Sequence, residues 1–166
     1  MGMFDSIFED AIALIKKWTP KQSYKKEPEY RDDLLDFLRK QFNENPNPFA
    51  LQTTKLNLTK EDSRGLCDIG INRKVGIELK KDLKGKSQID RLVGQVTNYK
   101  KDYQDIIIVL VGNTDKESLE QLKGRIPSLV TQNFGLNADQ RIKIIDKSPS
   151  NIEQKKPQDN MFGFKF

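Results

Sequence analysis

No histidine occurs anywhere in the 166 residues. That absence removes Ser-His-Asp and Cys-His nucleophile systems, His-ligated zinc and any imidazole general base. Chemistry performed by this chain must therefore rely on carboxylates, lysine, tyrosine and metal ions. There is one cysteine, Cys67, so no disulfide forms within the chain, and a secretory hydrophobic region is also missing. Both features point to a reducing intracellular compartment. No apolar run approaches membrane-spanning length. Neither a Gly-rich phosphate loop nor an internal repeat is present.

What is there fits one domain with a proper core over residues 1–147. Charged residues make up 32% of the chain, with a net charge of +5. This balance is compatible with a polyanionic partner. The stretch 67–80, CDIGINRKVGIELK, alternates with a period of two. Cys67, Ile69, Ile71, Val75, Ile77 and Leu79 form an apolar face; Asp68, Gly70, Gly76, Glu78 and Lys80 lie on the other. The pattern predicts a hairpin turning at Asn72 to Lys74, with Cys67 as a core residue.

If the turn centres on Arg73, Asp68 faces Glu78 and Gly70 faces Gly76. Cross-strand Cβ atoms lie about 5 Å apart, and like charges directly opposite are destabilising. A cation between the carboxylates offsets that repulsion, and hard oxygen ligands suit Mg²⁺ or Mn²⁺. Lys80 brings an ammonium group to the same face, and the glycine pair is expected to leave room for a phosphate. A solvated amphipathic hairpin is the plainer alternative.

Asp68, nine residues, then Glu78-Leu79-Lys80 resembles the D-x(n)-E-x-K signature of the PD-(D/E)xK nuclease superfamily. The resemblance implies a restriction-endonuclease-like αβββαβ core, a mixed central sheet flanked by helices, here with an extra αβ unit at its C-terminal end. It implies one or two Mg²⁺ ions held by Asp68, Glu78 and the Leu79 carbonyl. Lys80 would then orient or deprotonate the attacking water, and the products would be 5′-phosphate and 3′-hydroxyl ends. In many members an N-terminal helix lends a glutamate to the metal. Glu27 resembles that residue by its place seven before Leu34, Glu29 is the runner-up, and an acid serving the helix dipole is the alternative.

Helices are expected over 4–18 and 28–42, a strand over 49–58, and a helix over 87–103. The latter carries Gln88, Arg91, Gln95 and Tyr99 in one line beside its buried stripe. That line is a candidate surface for phosphates and sugars, and Gln95 to Tyr99 resembles the Q-x-x-x-Y element of RecB-type members. Lys84 and Lys86 belong to a basic loop ahead of it. The strand over 105–112 should be buried on both faces. Helices over 115–124 and 128–134 and a strand over 141–146 complete the domain. Residues 148–166 read as a polar tail with an apolar end that docks on the domain or binds a partner protein.

The sequence thus points to a metal-dependent deoxyribonuclease, an endonuclease or a subunit of something larger, with homo-oligomerisation supplying two sites for two strands. The competing reading is a nucleic-acid-binding module that keeps the fold without chemistry. A third is a carboxylate-metal enzyme acting on small phosphoesters.

Overall fold

A computed structural model describes residues 5–44, 56–60, 66–130 and 140–149. The elements run α1 (Asp5–Lys17), α2 (Glu27–Glu44), β1 (Leu58–Lys60), β2 (Ile69–Ile71), β3 (Val75–Lys81), α3 (Gly85–Tyr99), β4 (Asp105–Val111), α4 (Lys116–Arg125), a 3₁₀ turn (Ile126–Ser128) and β5 (Arg141–Asp146). Five strands form one sheet in sequence order. β1, β2 and β3 are antiparallel neighbours, whereas β4 and β5 join in parallel. The protein is therefore α/β, with a mixed sheet flanked by helices.

Each face of the sheet has its own core. On one side the apolar stripes of α1 (Phe8, Ala11, Ile12, Ile15) and α2 (Tyr30, Leu34, Leu38) pack with Val75, Ile77, Leu79, Ile107 and Val109. On the other, Ile89, Leu92 and Val96 of α3 pack with Ile106, Ile108 and Leu110. β4 thus divides its side chains between two cores, which is why it reads as an unbroken apolar run.

The hairpin register follows expectation, with Ile69 opposite Ile77, Gly70 opposite Gly76 and Ile71 opposite Val75. Asn72 and Arg73 both have positive φ, at 50° and 54°, and the Lys74 amide bonds to the Ile71 carbonyl at 2.9 Å. This is a type I′ turn, whose twist matches that of the strands it joins.

The glycine face differs from expectation. A Cβ on Gly76 would meet Cys67 Sγ at 2.6 Å and the Tyr103 ring at 2.8 Å. The space beside Gly76 is filled by Tyr103 and Cys67, so it is not a phosphate berth. Tyr103 reaches it because α3 ends at Tyr99, and the chain turns back there instead of remaining helical to 103. Cys67 is fully buried as expected, but in the core under α3. β2 begins only at Ile69, so the alternation does not reach back to Cys67. Gly76→Ala is expected to cost roughly 1–3 kcal/mol through overpacking, read as a lower urea midpoint with an unchanged slope.

α3 begins at Gly85, two residues before the expected start. Of the strand expected over 49–58, residues 49–55 lie outside the described residues, and strand geometry occurs at Leu58–Lys60. The helix expected over 128–134 lies mostly outside them too; Ile126–Ser128 forms a 3₁₀ turn. The expected tail lies outside the described residues except for Ser148 and Pro149, of which Ser148 is fully buried.

Candidate active site at the edge of β3

β2 stops one residue short of Asp68, which sits at a bend. Where a further backbone pair would form, the Asp68 carboxylate takes over: its Oδ2 accepts from the Leu79 amide at 2.8 Å. Leu79 buries its side chain in the α1/α2 core, so this amide is the Leu79 group shown bonding to a site carboxylate. Glu78, between Gly76 and Lys80 on the other face, lies beneath α3 and is only 4% exposed. The Tyr99 phenol, itself buried, hydrogen-bonds to Glu78. Strand alternation and one helical residue therefore bring together carboxylates that are ten positions apart.

Burial and mutual repulsion dominate their electrostatics. Burial raises the Asp68 carboxyl above its ordinary range; the Leu79 amide pulls it back, and Glu27 adds to the rise. Burial, then Asp68, then Glu27 push the Glu78 carboxyl up to about 8, with Lys80 and Tyr99 opposing. The Tyr99 phenol is pushed well up by burial and by the Glu78 charge. These are two acids whose environment disfavours holding both charges without a cation.

Glu27 occupies the first turn of α2. Its Oε2 accepts from the Lys81 amide at 2.9 Å and lies 3.8 Å from Lys80 Nζ. The structure thus joins Glu27 to the Asp68, Glu78 and Lys80 group. Glu29 is exposed and reaches back to the Lys26 amide at 2.9 Å, a helix cap. Arg31, one turn beyond Glu27, has a side chain only 14% exposed and its charge favours the ionised form of Asp68. Helical spacing places Arg31 on the same side of α2 as Leu34 and Leu38, but spacing alone does not say which carboxylate it faces. Asp33, which helical spacing turns away from Leu34 and Leu38, is nonetheless buried. It accepts from the Lys21 amide at 2.8 Å, the Tyr24 phenol at 2.9 Å and Trp18 Nε1 at 3.4 Å. Those donors come from the α1–α2 connection, which helical periodicity alone does not locate.

The α3 line runs from surface to site. Gln88 is exposed, and its Oε1 caps the Lys84 amide at 2.8 Å. The Gly85 amide bonds to Ser118 Oγ at 2.8 Å. The amides of Lys84 and Gly85, where α3 begins, are therefore taken by side-chain acceptors. Lys84 and Arg91 are exposed, and Lys86 pairs with Asp90 at 2.6 Å. Gln95 is half-buried, one turn before Tyr99, and its Oε1 is buried with no partner among the described residues.

No group of three or more histidine, cysteine or acidic side chains gathers closely enough to hold a metal among the described residues. The donor set is the Asp68–Glu78 pair. Two hard carboxylates that repel each other, with the orphaned Gln95 oxygen on the helix above, fit Mg²⁺ or Mn²⁺ in donor chemistry. No helix among the described residues is long and apolar enough to cross a membrane. Comparison with protein-family models, curated proteins and solved structures finds no match.

Proposed function

We propose that the protein is a Mg²⁺-dependent nuclease that hydrolyses DNA phosphodiester bonds, most simply as an endonuclease. The observation carrying this reading is the half-buried Asp68 beside the buried Glu78, with Lys80 next on that face of the strand, a like-charge arrangement that costs stability and is intelligible as a cation seat. The order α2, β1, β2, β3, α3, β4 supports the restriction-endonuclease-like core, with α4 and β5 as the added unit.

Asp68 and Glu78 would hold the ion, which when bound polarises the phosphodiester and acidifies an attacking water. The chain's own residues set the stage. The Leu79 amide fixes Asp68, the Tyr99 phenol fixes Glu78, and Glu27 steadies the Lys80 ammonium near the site. Lys80 then orients the water or takes its proton. Exposed Arg91 and Lys84 extend positive charge along the path of the substrate backbone.

Plasmid, linear duplex, single-stranded DNA and RNA, each incubated with and without Mg²⁺, test the proposal directly. Binding without Mg²⁺-dependent cleavage of any substrate would identify the nucleic-acid-binding module instead. Arg91→Ala is expected to weaken DNA binding and flatten its dependence on salt by about one phosphate contact. An unchanged salt slope would remove Arg91 from the interface.

A further inference from the structure

A cleft of about 600 Å³ opens at the carboxyl ends of the parallel strands, lined by Tyr24, Tyr30, Lys81, Asp82, Asn113 and Lys147 among others. Its size is that of a small-molecule site, and its place is where open α/β sheets bind ligands. Lys80 and Lys81 are consecutive on β3, so by strand alternation they point to opposite faces. Glu27 touches both, the Nζ of Lys80 and the amide of Lys81. Glu27 thus links Lys81, which lines the cleft, to the Lys80 ammonium of the carboxylate site.

Three observations mark it as built for a ligand. Tyr24 is a fixed platform: its ring meets Tyr30 edge-on at 5.0 Å, and its phenol is anchored on the buried Asp33 at 2.9 Å. Lys147 bonds to the Lys16 carbonyl at 2.8 Å and has no carboxylate partner among the described residues. Asp82 holds a left-handed backbone, φ 53°, uncommon for a non-glycine residue, and accepts from the Asn113 amide at 2.7 Å. Such backbone strain collects at functional sites. A fixed aromatic face beside an ammonium without a counter-charge suits a base and its phosphate.

Resting on the nuclease reading, we infer that this cleft receives one unstacked nucleotide of a DNA strand, its base against Tyr24 and a phosphate at Lys147. The preferred substrate is then single-stranded DNA, or a frayed or branched end, because a base held in a duplex has no free face to offer.

The test is fluorescence anisotropy of the full chain without Mg²⁺, using a short labelled single strand, its blunt duplex, and AMP as competitor. Lys147→Met should weaken single-strand binding about tenfold and reduce its salt slope by about 0.7, with duplex binding level. Tyr24→Leu should act similarly through lost stacking, about tenfold or more. An iodouracil-bearing strand should photocross-link to Tyr24 in the unmutated chain, which guards against a variant that misfolds. Equal losses on both DNA forms, no loss, or cross-links confined elsewhere would overturn the inference. So would AMP binding that single strands fail to displace, since the ligand would then be a free nucleotide. Binding is read without turnover, so a protein that cleaves nothing refutes the nuclease reading separately. Cleavage indifferent to both variants and to strandedness refutes the cleft alone.

Discussion

Glu78→Gln is expected to abolish Mg²⁺-dependent cleavage and, without metal, to make the protein more stable at pH 8 than the wild type. Glutamine keeps the shape and a partner for the Tyr99 phenol but cannot be charged, and it leaves one carboxylate where two are needed. The stability sign follows from linkage. The Glu78 carboxyl is raised from 4.5 to about 8 in the folded protein, by burial first and by Asp68 second. Between those limits the folded state binds more protons than the unfolded chain, so wild-type stability is full below about pH 4.5 and falls as pH rises through about 8. A shift of that size is worth on the order of 3–5 kcal/mol, shared between two coupled acids. The variant lacks that decline. Its metal-free melting temperature should exceed wild type by roughly 5–10 °C at pH 8 and match it near pH 4. Mg²⁺ should narrow that gap by stabilising the wild type alone, by about 2.7 kcal/mol at a hundredfold excess over its Kd. Thermal scans across pH, with and without Mg²⁺, check the stability, and a plasmid-cleavage assay checks the loss of activity. A variant less stable than wild type at pH 8 without metal would mean that Glu78 is a structural residue.

Much of this arrangement is legible in the sequence because it rests on short-range periodicity. Val75 to Lys80 alternates, Asp105 to Val111 is apolar throughout, and Arg141 to Asp146 is β-branched and bounded by polar residues; all three are strands. The register that brings Asp68 beside the Glu78 strand follows from the Asn72-Arg73 turn. What periodicity does not give is the cover. The face bearing Glu78 reads as polar and therefore as open, yet α3 lies over it, and the decisive consequence, a carboxyl raised by burial, follows from that cover. The same limit hides the Tyr103 ring that fills the space beside Gly76. Asp33 shows a related limit: helical spacing turns it away from Leu34 and Leu38, but the incoming α1–α2 connection wraps over that side of the helix. Glu27 and Glu29 illustrate the opposite case. Both are acids in a first turn, and only the third dimension separates the one that meets β3 from the one that caps its own helix.

Lys80→Met should still bind metal, more weakly at neutral pH, and at saturating Mg²⁺ lower turnover by about 10²–10⁴-fold, the range for losing a positioned proton-transfer group. Methionine retains most of the aliphatic stem, so packing around the half-buried side chain is largely conserved, while the ammonium is lost. In the folded protein that ammonium favours the ionised forms of both Asp68 and Glu78. Removing it should push both carboxyls further up, so Mg²⁺ should bind with reduced affinity at pH 7 and recover as pH rises. Turnover measured at saturating Mg²⁺ and alkaline pH then separates the two roles of the charge. A residual deficit belongs to the water, whereas full recovery would reduce Lys80 to an electrostatic aid for the carboxylates. Glu27→Gln provides the graded comparison. It keeps an acceptor for the Lys81 amide but loses the charge 3.8 Å from the Lys80 ammonium, so its effect on turnover should be smaller than that of Lys80→Met and in the same direction. If Lys80→Met turns over DNA at the wild-type rate while Glu27→Gln is inactive, the glutamate acts on the site directly, and the lysine is there to hold it.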